Sequence, residues 1–166
     1  HVAGRVDPVH DIDVINTELM LADLAAVEKA VERAEKQAKT GKKEDVARRD
    51  ALARLRDPRG GGKPARTFDM PEEHRPAMNE CFLLTAKPVM YVANVDEKGL
   101  AGNEDVERVR ALAKDEGAEV VVVCAAIEAE IAQLDDADKQ AFLEALGFEE
   151  PGLNRVIRAG YRLLGL

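Results

Sequence analysis

Apolar residues recur at helical intervals through the first part of the chain. From Ile12 to about Lys39 they fall at Ile12, Ile15, Leu19, Ala22 and Ala26, with Leu24, Val27 and Val31 widening the stripe. This spacing predicts a long amphipathic helix, with Asp11 as its candidate N-cap. Thr40-Gly41-Lys42-Lys43 breaks the pattern, and Glu44 to Asp57 resumes it with Val46, Ala47, Ala51, Leu52 and Leu55 on one side. Two helices joined by so short a connection are expected to fold back as an antiparallel hairpin. Pro71 opens a further predicted helix that runs to about Ala86. Glu72 and Glu73 stand in its first turn, and Met78, Cys81, Phe82 and Leu84 are expected to face inward. His74 is expected at the surface.

Beyond Lys87-Pro88 the pattern changes from period to run. Val89-Met90-Tyr91-Val92-Ala93 is a continuous apolar stretch ending abruptly in Asn94-Val95-Asp96-Glu97. It predicts a buried strand. Asp105 to Glu116 reads as a helix closed by Gly117, and Glu119-Val120-Val121-Val122-Val123-Cys124 as a second strand running into Ala125-Ala126. Asp135 caps a helix through Leu146, ended by Gly147. Glu149-Glu150-Pro151 opens a last helix, expected to bury Leu153, Val156, Ile157, Tyr161, Leu163 and Leu164. Strand, helix, strand and helix in this order predict an α/β fold with parallel strands.

Composition narrows this picture. Charged residues make up 34% of the 166 positions and aromatic residues 4%, which favours solvated helices over a β-sandwich. No apolar run approaches the length of a membrane span. Cys81 and Cys124 each lie in an apolar run and read as thiols of a reduced, cytoplasmic protein rather than as a disulfide. Charge is unevenly divided. Residues 28–66 hold 13 Lys or Arg against 7 Asp or Glu, in a chain whose net charge is −8. One reading is a solvated two-helix arm laced with i,i+4 ion pairs such as Glu32–Lys36. The other is that the distal arm binds an acidic partner such as RNA, whose phosphates attract basic faces without sequence preference.

The candidate chemistry lies at the strand ends. Polar side chains at the carboxyl end of a parallel strand sit where open α/β sheets bind ligands. Asn and Asp also turn chains and cap helices there, so Asn94 and Asp96 have a purely structural reading as well. Arg59-Gly60-Gly61-Gly62-Lys63-Pro64 has glycines before a Lys, but Pro64 stands where a phosphate loop needs Ser or Thr, and the string reads as a helix-terminating loop. His1, His10 and His74 show no metal-ligand spacing with either Cys, and no metal site is expected.

Asn94-Val95-Asp96-Glu97 resembles the NxxE variant of the guanine-specificity motif carried by the YchF/Obg-like ATPase family. Cys124-Ala125-Ala126-Ile127-Glu128 resembles that family's next base-contact loop. The likeness extends through residues 11–19 and 149–161 and is weakest between about Lys39 and Pro76. It implies the C-terminal part of a doubly wound, mainly parallel P-loop NTPase domain carrying an inserted antiparallel coiled-coil arm. Residues 1–11 would end the N-terminal segment of that domain, 12–86 would form the arm, and 87–166 the base-binding half. The chain opens on His1 rather than Met, and reads as an internal fragment lacking the phosphate loop and the TGS domain.

The resemblance implies a ribosome-associated ATPase, with the ribosome or its large-subunit RNA as partner of the basic arm, and with neither DNA nor a membrane as partner. Asn94, Val95, Glu97, Cys124, Ala125 and Ala126 would contact the base of ATP or GTP. The magnesium ligands would lie outside this chain, which contains no persuasive catalytic residue, so the fragment alone is expected to be inactive. In ordinary GTPases an Asp of the motif accepts from guanine N1–H and its 2-amine. Here Glu97 takes that place with one more methylene, and losing such a contact removes about 2–3 kcal/mol of guanine preference. Asn94 would serve the adenine N6/N7 edge, Val95 would cover the purine plane, and Asp96 would shape the loop. The alternative from a different class is a non-catalytic helical module that binds an acidic partner.

Overall fold

A helix of 31 residues, α1 (Pro8–Ala38), begins the computed structural model, which describes residues 6–56, 63–68 and 71–166. Its start lies ahead of the Asp11 cap expected from the sequence. Pro8 opens the helix, where a missing N–H costs nothing, and Asp11 instead sits in the first turn against the positive end of the dipole. The chain forms two compact units, residues 10–87 and residues 1–9 with 88–166.

In the first of these, α1 and α2 (Lys43–Leu55) share a core of Val27, Val31, Ala34, Ala51 and Leu52, joined by Ala65, Ala77 and Leu83. The buried stripe of α1 is Asp23, Val27, Val31, Ala34 and Ala38. Ile15 and Leu24, expected inside, are exposed. The helix expected over residues 71–86 is instead three short pieces: a 3-10 turn at Glu72–His74, α3 (Arg75–Asn79) and a 3-10 turn at Leu84–Ala86. Pro76 has no N–H to bond back to residue 72 and so stands in the first turn of α3, not inside a longer helix, and Phe82 adopts φ 49°, a left-handed conformation that ends any helix. Phe82 is consequently 86% exposed rather than inward. His74, expected at the surface, retains only 14% of its side-chain exposure. The proposed loop at residues 58–62 lies outside the described residues, as does Asp57.

The centre of this unit is a buried carboxylate. Asp23 accepts hydrogen bonds from Leu84 N at 2.6 Å, Thr85 N at 2.9 Å and Thr85 Oγ1 at 2.7 Å. Thr85 Oγ1 in turn accepts from Ala65 N at 2.8 Å. The 3-10 turn at Leu84–Ala86 thus has its amides satisfied by a side chain from α1, about sixty residues earlier. Cys81 lies beside this network, and burial pushes its thiol above the ordinary value, with Glu80 acting in the same direction.

The second unit is built on two parallel strands, β1 (Met90–Asn94) and β2 (Glu119–Val123), in register from Met90↔Glu119 to Asn94↔Val123. Between them runs α4 (Glu104–Glu116). Asn103 caps it by accepting from Val106 N at 2.8 Å, and Gly117 ends it at φ 68°. Next come α5 (Ala125–Ile131), α6 (Asp136–Ala145) capped by Asp135, and α7 (Gly152–Leu164). One apolar cluster joins Cys124, Ile127, Ile131 and Leu143; another joins Val121, Val123 and Ala159 with Met90 and Val156. The last helix buries less than its sequence suggests. Ala159 is fully buried, with Val156 and Leu163 half-buried, while Leu153, Ile157, Tyr161 and Leu164 stay exposed. Its apolar stripe is wider than the face that a two-stranded sheet covers.

Asp23→Ala leaves the amides of Leu84 and Thr85 without an acceptor in a buried site. It should lower the unfolding free energy by about 3 kcal/mol in urea titration, more than Thr85→Val, which keeps the carboxylate.

Candidate functional site

Parallel pairing brings the carboxyl ends of β1 and β2 to one edge, with Asn94 opposite Val123. The ladder runs one residue further, since Val95 N donates to Val123 O at 2.8 Å. Past that point the chains diverge, and a polar cross-link holds the two ends together: Ala125 N donates to Asn94 Oδ1 at 3.0 Å. This bond satisfies one of the free amides of the first turn of α5, a helix that has no cap from its own Cys124. Asp96 shapes the first loop. Its Oδ1 accepts from Gly99 N at 2.8 Å, and Gly99 is buried where a Cβ would come within 2.9 Å of Val95 Cβ.

These two loops and α6 enclose a cleft of about 410 Å³. All six residues singled out from the sequence line it: Asn94, Val95, Glu97, Cys124, Ala125 and Ala126. Sequence reasoning missed Glu130, Phe142 and Leu146, which complete the wall. Phe142 on α6 and Leu146, the residue that caps its end, stand one helical turn apart, but nothing local tells that this helix faces the strand ends. The helix α5, which carries Glu130, was itself not anticipated, because no capping residue precedes it.

The cleft has a distinct electrostatic character. Asp96, Glu97 and Glu130 line it, and no Lys, Arg or His does. Glu97 is exposed, and its carboxylate is held by no hydrogen bond or ion pair among the described residues. Asn94 Oδ1 already accepts from Ala125 N, which leaves its Nδ2 donors for a ligand. The lining therefore combines amide donors with the carboxylate of Glu97 as an acceptor and apolar surface from Val95, Phe142 and Leu146. Such a cleft suits a neutral heterocycle bearing both ring acceptors and N–H donors, and it disfavours phosphate.

Below the cleft, α5 is held to α7. Glu128 accepts from Gly152 N at 2.7 Å and Leu153 N at 3.1 Å, satisfying the first amides of α7 and placing negative charge at its positive end. Gly152 permits this approach. A Cβ there would lie 2.7 Å from Glu128 Oε1 and 3.1 Å from Val123 Cγ1. The loop 124–126 is thus fixed from both sides, by Asn94 above and by Glu128 below.

Parallel strands with a cleft at their carboxyl ends define an α/β protein, and in open α/β sheets this is the edge where ligands bind. Curated relatives match the whole chain. It is 51% identical over 166 residues to the ribosome-binding ATPase YchF of Haemophilus influenzae, and 48% identical over 169 aligned positions to that of Bacillus subtilis. The protein of that name from Escherichia coli O157:H7 is 48% identical over 166 residues. Each match takes in 100% of this chain and 46% of the relative, so the chain spans less than half the length of these proteins. A solved structure of the Schizosaccharomyces pombe YchF GTPase superposes with a TM-score of 0.83 at 24% identity, over 99% of this chain and 46% of that one. No protein-family model matches. The chain belongs to the YchF/Obg-like family.

Gly152→Ala forces Glu128 off α7 and should cost about 1–3 kcal/mol in thermal or denaturant unfolding. In a Glu128→Ala background the same substitution should cost clearly less, because both changes break one latch. Additive costs in that double-mutant cycle would contradict the latch.

Proposed function

We propose that this chain supplies the base-reading half of a ribosome-associated nucleoside-triphosphatase that binds and hydrolyses ATP. The observation that carries this is the cleft itself, with Asn94 bonded to Ala125 and Glu97 free beside it. In this reading the two-stranded sheet is the C-terminal part of a doubly wound P-loop domain. Residues 12–86 form its inserted coiled-coil arm, between the segments 1–11 and 87–166. The exposed Val92 on β1 and the exposed apolar side of α7 support further strands and helices beside β1. The names of the curated relatives support the activity, and the acidic lining supports a base rather than a triphosphate at this cleft. The phosphates and their magnesium ion would be held by residues outside this chain, so the fragment alone would be inactive and the intact protein cytoplasmic.

Base discrimination follows from the donor and acceptor pattern. Asn94 Nδ2 can donate to N7, which both purines share, so Asn94 sets affinity more than choice. Choice falls to Glu97, whose carboxylate can accept from an exocyclic amine without being pinned where guanine N1–H and its 2-amine converge. Val95 and the apolar α6 wall cover the ring faces, and the Ala125 and Ala126 backbone lies close because neither side chain extends beyond Cβ.

A second reading concerns the arm, and a specific observation favours it. Lys29, Arg33, Lys36, Lys39, Lys42 and Lys43 are all exposed around the turn between α1 and α2. They support an arm that contacts ribosomal RNA, with the non-catalytic helical module as the reading if no nucleotide binds.

Calorimetry on the intact protein tests the first reading. ATP should bind more tightly than GTP, Asn94→Ala should weaken both by about tenfold or more, and Glu97→Asp should raise GTP affinity relative to ATP. Unchanged affinities in both variants would remove the base from this cleft. For the arm, Lys36, Lys39, Lys42 and Lys43 changed together to Gln should weaken ribosome cosedimentation. The log-affinity against log-salt slope should become shallower by about 3 if all four meet phosphates.

A further inference from the structure

Both edges of the sheet are open among the described residues, and they are built differently. Beside β1 the exposed side chains are apolar, Val92 foremost. Beside β2 they are arginines. Val123 O turns toward β1, where it accepts from Val95 N, so backbone alternation turns the N–H and C=O groups of Val120 and Val122 outward. Arg155 Nη2 confirms this direction by donating to Val122 O at 3.0 Å. Val120 and the Val122 N–H pair with no strand among the described residues.

A groove of about 280 Å³ runs along this edge. Its floor is the backbone of residues 119–122. Arg110 from α4 lines it, as do Arg155, Arg158 and Arg162 from α7, while Glu119 is the one carboxylate in the lining. The three α7 arginines fall at i, i+3 and i+7 and so share a helix face, on the opposite flank from Leu153, Ile157, Tyr161 and Leu164. Arg158 pairs with Glu150, Arg162 with Glu119, and Arg110 Nε lies 3.5 Å from Glu107 Oε1. The side chains of Arg158 and Arg162 are each 59% exposed and that of Arg110 is 50% exposed. Ion pairs this open to water are readily exchanged for an incoming carboxylate. Among the described residues Arg155 has no carboxylate partner, and its buried Nε has no hydrogen bond.

We propose that the outer edge of β2 is a docking surface for an extended acidic peptide, which joins the sheet as an added strand. Main-chain pairing to Val120 and to the Val122 N–H supplies the alignment. Alternate side chains of an extended strand point to opposite faces, so carboxylates on one face meet Arg158 and Arg162, and those on the other meet Arg110. Arg155, bonded to Val122 O, closes one end of the edge. A phosphate backbone would satisfy the arginines but has no N–H to donate to the outward carbonyl of Val120, and therefore fits less well. The proposal is independent of the nucleotide reading, since no residue of the cleft takes part.

The test is a titration of the full, isotopically labelled chain with the peptide Glu-Glu-Val-Glu-Glu-Val, which carries carboxylates on both faces of an extended strand, followed by amide NMR. The amides of Val120 and Val122 should shift while those of β1 stay in place, and the matching Lys-Val peptide should cause no shift. Arg158→Gln with Arg162→Gln should weaken binding by about tenfold. Arg110→Gln alone, remote from the α7 pairs, should weaken it to a smaller extent. Absence of any shift at Val120 and Val122 would mean that the arginines only guard an open edge, and would overturn the proposal. A response to a uridine dodecamer but not to the acidic peptide would overturn it in favour of RNA.

Discussion

The hydrogen bond from Ala125 N to Asn94 Oδ1 ties together the carboxyl ends of the two parallel strands. It gives the first amide of α5 a side-chain acceptor from the neighbouring strand. With it, the first loop positions the second. The bond also fixes the side-chain oxygen of Asn94 on Ala125 N. A single contact of ordinary length therefore joins the two loops that line the cleft.

The rest of that unit supports this contact in layers. The register Asn94↔Val123 places donor and acceptor side by side, and the ladder bond to Val95 keeps the strands parallel up to the branch. Glu128 then holds α5 from below through the first amides of α7, which needs a glycine at position 152. Apolar packing of Ile127, Ile131 and Leu143 fixes the helix between these two polar ties. In the other unit Asp23 plays a comparable part, since one buried carboxylate organises a turn that has few other partners.

Much of this was legible in the residues, wherever the signal was local. Apolar runs gave both strands, and Gly117 and Asp135 mark helix ends by chemistry that needs no tertiary context, whereas the Asn103 cap lies two residues ahead of the start expected at Asp105. The strand-end motifs located the cleft because parallel strands must bring their carboxyl ends to one edge. What escaped was set by distant contacts. The burial of Asp23 depends on amides about sixty residues away, and the left-handed backbone of Phe82 has no local sequence signal. The wall formed by Phe142 and Leu146 depends on where α6 docks. The last helix misled in the opposite way. Its apolar residues occupy most of its circumference, and a two-stranded sheet can bury only the side holding Val156 and Ala159.

The central claim is that a purine base lies in this cleft against Asn94. A crystal structure of the intact protein with a non-hydrolysable ATP analogue tests it most directly. The account predicts adenine between Val95 and the α6 wall, with Asn94 Nδ2 within hydrogen-bond distance of N7 and the bond to Ala125 intact. An adenine bound elsewhere, with this cleft filled only by solvent, would contradict it.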